Sequence, residues 1–157
     1  MNDLTQFYLN RLLNQLSSDC SSAQERIRGA TTMRAVKLAA NVQANAMIRS
    51  LPDVRQQQYR VHDSAEKRME VLLDQQLKAL EGCQSSEQLR QEYGRLVRND
   101  WVFLRGEFGR LYGRADREYH RLLHKHVQRD KDTVTASSPI AVDPDAPDDH
   151  DDSGPTP

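Results

Sequence analysis

Apolar residues recur every three or four positions through most of the first 132 residues, and no stretch alternates with period two. The pattern predicts helices and no sheet. Residues 1–132 contain a single proline, Pro52, and are rich in Gln, Arg, Leu, Ala and Glu, all of which favour helix. Four helices are placed by their ends. The first spans about 3–18, opening at Asp3 with Gln6 three residues on and stopping at Ser17-Ser18-Asp19. The second spans about 22–50, with Ser22 and Glu25 as a capping box. The third spans about 53–81, since Pro52 suits an opening turn and Gly82 a C-cap. The fourth spans about 86–130, opened by Ser85 and Gln88.

Helix two carries two apolar stripes. One is Ile27, Thr31, Ala35, Leu38, Val42 and Ala46; the other is Met33, Val36, Ala40, Ala44, Met47 and Leu51. A helix apolar on two sides packs between neighbours. Helix four carries a longer seam through Val97, Trp101, Leu104, Phe108, Leu111, Ala115, Tyr119, Leu122 and His126, stepping by three or four like a coiled coil. Unbroken, this helix would be about 65 Å long, while helices two and three reach about 40 Å each. Such a rod either breaks, with Asn99-Asp100 the weakest point, or needs a second chain to cover its overhang. The mismatch predicts antiparallel helical hairpins in an all-α bundle. It also makes the seam of helix four the expected docking face for partner helices or for a second copy.

Charge divides the chain. The formal net charge is −1, yet residues 133–157 hold six Asp, no Lys or Arg, and five of the six prolines. That acidic segment lacks the apolar content to offset ordering entropy and is expected to be a disordered tail. The remaining body carries 22 basic and 17 acidic residues. Its basic character gathers on helix four, where Arg110, Arg114, Arg117 and Arg121 form a ridge. Such a ridge offers an alternative function, salt-dependent binding of nucleic acid or an anionic lipid surface, with the tail as internal competitor.

Other candidates are few. Gly106, Gly109 and Gly113 lie on one side of the predicted fourth helix, where they would permit close helix packing or mark an irregular junction. Asp116, His120 and His124 repeat every four residues, a workable spacing for a metal, but a closed zinc site needs a fourth ligand and His126 points elsewhere. No cofactor is therefore expected. Cys20 and Cys83 fall in the two connections that share one end of an up-down bundle. The opening MNDLTQFYLN has no basic stretch followed by an apolar run, which argues against a secretory signal and hence against a disulfide. An intracellular location, cytoplasmic or nuclear, is the expectation, with no transmembrane segment. No nucleophile elbow, phosphate loop or paired zinc-ligand motif is present, so the chain reads as a non-enzymatic adaptor or assembly subunit.

Overall fold

A computed structural model describes residues 2–137 and is helical throughout, without strands among the described residues. The helices are α1 (Asp3–Gly29), α2 (Met33–Ala40), α3 (Pro52–Glu81), α4 (Ser86–Asn99) and α5 (Gly109–Ser137), with a 3₁₀ turn at Trp101–Leu104 between α4 and α5.

The expected stop at Ser17-Ser18-Asp19 does not occur; α1 runs on for another ten residues. The reason is tertiary. Leu16, Cys20, Ala23 and Ile27 continue one helical stripe into the core, and the three polar residues between them stay exposed. Burial of that stripe outweighs the weak preference of Ser and Asp for caps. Cys20 accordingly lies inside a helix rather than in a connection.

The expected second helix breaks instead at Gly29–Thr32. Ala30 is extended, and Thr32 caps α2 by accepting the Ala35 amide at 3.1 Å. Helix α2 lasts only eight residues before an irregular stretch, in which Asn45 accepts the Met47 amide at 2.9 Å, leads to Pro52. Other local signals act as read. Pro52 stands at the opening of α3, Gly82 follows its last turn, and Ser85 accepts the Gln88 amide at 3.1 Å. The Gln88 side chain returns the bond by accepting from the Gln84 amide at 2.9 Å.

Helix α3 is the central element and buries Val54, Val61, Ala65, Met69, Leu72, Leu73, Leu77 and Leu80. It packs against all four other helices. Arg68 of α3 donates to the Ala30 carbonyl at 2.9 Å and fixes the α1–α2 corner to its middle. Ion pairs of Arg110 with Glu66, Arg114 with Glu70 and Arg121 with Glu81 advance together along both helices, so α3 and α5 run parallel. Helix α4 returns antiparallel to α5, with Ser86 bonded to Asp130 and Tyr93 to Asp116.

The predicted 45-residue rod is not continuous. It ends at Asn99, passes through the 3₁₀ turn, and reverses at Gly106, whose φ of +84° suits only glycine well. The Trp101 indole donates to Gln76 at 2.8 Å, and Gln76 donates in turn to Asp100 at 3.2 Å. One carboxamide thus pins the start of the break, at two successive residues, to α3. The seam folds onto the chain's own core. Trp101, Leu104, Phe108, Leu111, Ala115, Tyr119 and Leu122 are all buried, and Val97 is half-buried against them. The expectation that this seam awaits a partner is corrected: α2, α3 and α4 cover it. Residues 133–137 extend α5 rather than belonging to the tail, and 138–157 lie outside the described residues. Among the described residues no helix is long and apolar enough to cross a membrane.

Candidate interaction groove

The break before α5 leaves a concavity where three segments meet. Helix α2 supplies Arg34, Lys37 and Leu38; α3 supplies His62; the turn preceding α5 supplies Phe103 and Phe108. The cavity is about 590 Å³, within the range of ligand and side-chain pockets. Its floor is aromatic. His62 lies flat on Phe108, ring centroids 4.9 Å apart and planes within 10°. Phe108 is buried and Phe103 half-buried, so the floor is held rigidly by the core beneath it.

The rim is apolar and cationic. Leu38 is 66% exposed, although it was expected on a packing stripe. Helix α2 is too short and too shallowly seated to bury both stripes. Met33 and Val36 face the core, and Leu38 turns out to solvent. Arg34 and Lys37 make no ion pair among the described residues. Glu107 stands at the far edge, 3.9 Å from His62. A second exposed apolar set lies on the first turns of α1. Leu4, Phe7 and Tyr8 are each more than half exposed, with Phe7 and Tyr8 edge to face at 6.1 Å. At 100° per residue, Leu4 and Phe7 lie on the side of α1 away from the half-buried Leu9 and Leu12.

The other candidates resolve into structural roles. The arginine ridge is largely neutralised. Arg110 pairs with Glu66 at 2.9 Å, Arg114 with Asp74 and with Glu70 at 3.6 Å, and Arg121 with Glu118 and with Glu81 at 3.6 Å. Arg117 is the member of the ridge without an ion pair among the described residues. The glycine stripe does not serve close helix packing. An added Cβ at Gly106 or Gly109 would meet nothing within 4 Å, and at Gly113 only the Arg117 side chain, at 3.3 Å. Gly106 marks the irregular junction, while Gly109 opens α5 and Gly113 lies within it.

Asp116, His120 and His124 do not form a metal site. Asp116 accepts the Tyr93 hydroxyl at 3.1 Å, the His120 ring contacts the Asp116 carbonyl at 2.8 Å, and His124 is exposed. Among the described residues no three His, Cys, Asp or Glu side chains are placed to hold a metal. Burial, reinforced by the bond to Asp116, pushes the Tyr93 hydroxyl up to about 12. Cys20 and Cys83 are free, buried thiols. Burial raises both, helped by Asp19 at Cys20 and by Glu92 at Cys83, so they stay protonated at neutral pH.

Of the groove residues, the sequence pattern marks Phe108, Leu38 and Ala40, all as packing positions. Leu38 was placed on a core stripe, and His62 sits in a polar stretch. Arg34 and Lys37 reach the groove because α2 ends after eight residues. Searches of protein families, curated proteins and solved structures find no match for this chain.

Proposed function

We propose that this protein is a non-enzymatic helical adaptor or assembly subunit. Its groove beside α2 receives a partner segment bearing one large apolar side chain flanked by carboxylates. The observation that supports this most is Leu38, two-thirds exposed beside Arg34 and Lys37, which make no ion pair among the described residues, at the lip of an aromatic cavity. A large side chain seated on Phe103 and Phe108 would gain about 1.5–3 kcal/mol from burial. Carboxylates beside it would meet Arg34 and Lys37. The exposed Leu4, Phe7 and Tyr8 offer a second apolar surface, which suits a chain that joins two others. The ridge reading is less favoured, because three of its four arginines already hold carboxylates.

Selection from a random peptide library tests this reading, with the full chain as bait and Leu38→Asp as counter-selection. The expected consensus is Leu or Phe next to Asp or Glu. Lack of enrichment, or peptides that bind Leu38→Asp equally well, would contradict it.

A further inference from the structure

The corner joining α3 to α4 meets the second half of α5 at a polar cleft of about 370 Å³, which shares no residue with the groove. Arg121, Lys125 and Arg129 line it at four-residue intervals, so one face of α5 presents three cations to the same space. Glu81 and Gln84 close the opposite side. Arg121 is shared with Glu118 and Glu81, but Lys125 and Arg129 make no ion pair among the described residues. The Cys83 thiol at the base is held neutral by burial.

His126 is the telling residue. It lines this cleft and is only 7% exposed, the one buried polar or charged side chain among the described residues. Its ring makes no hydrogen bond among the described residues. Yet no fully enclosed side-chain nitrogen or oxygen lacks a partner, so the ring nitrogens open to the cleft. The ring nitrogens are thus free to bond whatever enters the cleft, beside Lys125 and Arg129.

We propose that this cleft is an oxyanion site that takes the phosphate group of a small phosphorylated ligand. The His126 ring N–H donates to one oxygen, and Lys125 and Arg129 neutralise the charge. Planar arginine and mobile lysine together suit a phosphate, which offers acceptors in several directions. The chain supplies a second source of the same chemistry. Its run of aspartates begins at Asp143, six residues past Ser137. Ser137 lies about 12 Å along the helix axis from Arg129.

The test is a titration of the full chain with inorganic phosphate at fixed pH, against chloride at matched ionic strength. It is read on the His126 imidazole by proton–nitrogen NMR. Phosphate should move that resonance saturably and chloride should not. Lys125→Ala with Arg129→Ala should weaken binding at least tenfold, whereas Arg117→Ala should leave it unchanged. A full-length variant with Asp143, Asp145, Asp148, Asp149, Asp151 and Asp152 all changed to Asn separates the sources. Tighter phosphate binding there supports an oxyanion site that the chain's own carboxylates occupy, and unchanged binding supports free phosphate as the occupant. The proposal is overturned if His126 shows no saturable shift in the wild-type chain or the Asn variant. It is also overturned if the paired alanine variant responds like wild type while its Trp101 indole resonance reports an intact core.

Discussion

The Trp101 indole N–H donates to the Gln76 carboxamide at 2.8 Å, and through this bond the chain's sole tryptophan locks the helical break onto α3. Trp101 is fully buried, so its N–H has no access to water if Gln76 is lost. Gln76→Leu should destabilise the fold by about 1–3 kcal/mol through that orphaned donor. For a chain of this size each kcal/mol lowers Tm by about 2–4 °C. Thermal unfolding followed by Trp101 fluorescence checks this. An unchanged Tm would mean that the bond does not hold the break.

The glycines give opposite signs at neighbouring positions. Gly106→Ala forces a side chain into a φ of +84° and should cost about 1–2 kcal/mol. Gly109→Ala adds a Cβ that meets nothing within 4 Å and should be neutral or stabilising by up to about 1 kcal/mol. Denaturant midpoints of the two variants decide between a turn and a packing stripe. A packing stripe would make Gly109→Ala the more damaging.

Stability should fall at high pH through Tyr93. Its hydroxyl is raised to about 12 in the folded chain by burial and by its bond to Asp116, against about 10 in the unfolded one. The unfolded state therefore releases this proton first. The contribution is whole below about pH 10 and is lost as pH rises from 10 toward 12. Glu92 and Glu118 work in the other direction, each lowered first by a hydrogen bond from its arginine, Arg95 and Arg121. Their contributions are present above the unfolded carboxylate range and fade as pH drops through the folded values. Denaturation at a series of pH values should show a steeper alkaline loss for wild type than for Tyr93→Phe. Parallel profiles would contradict the assignment.

Arg114 bridges Asp74 and Glu70 at the surface of α3 and α5. Surface pairs of this kind contribute about 0–1 kcal/mol. Arg114→Ala should lower Tm by no more than about 4 °C and should leave binding at the α2 groove untouched. A large loss of groove binding in this variant would tie the ridge to recognition after all.

Much of the architecture is legible in the sequence where one local signal decides it. Pro52, Gly82 and Ser85 set the ends of α3 and the start of α4, and Asn99-Asp100 marks the break. The deep burial of Trp101, Leu104 and Leu111 follows from their spacing. The seam's role does not, because helical periodicity is the same whether a stripe meets a partner or its own chain. The boundaries of α1 and α2 depart from the local signals for a related reason. Ser17, Ser18 and Asp19 look like a stop, but they ride the exposed side of a helix held by Leu16, Cys20 and Ala23. Gly29-Ala30-Thr31-Thr32 looks like helix because its apolar spacing is unbroken. The groove needs Leu38, His62 and Phe108 from separate segments, and only the chain path at 29–32 and 100–108 brings them together.

The most direct measurement is the affinity of the full chain for a fluorescent peptide carrying one Leu or Phe between glutamates, compared with its Leu38→Asp and Arg34→Glu/Lys37→Glu variants. Trp101 emission serves as the check on folding. The account predicts saturable binding that weakens at least tenfold, about 1.4 kcal/mol, in either variant. It also predicts that the charge-reversed variant comes to prefer a lysine-flanked peptide. Equal affinity in all three proteins, each correctly folded, would contradict the groove as the docking surface.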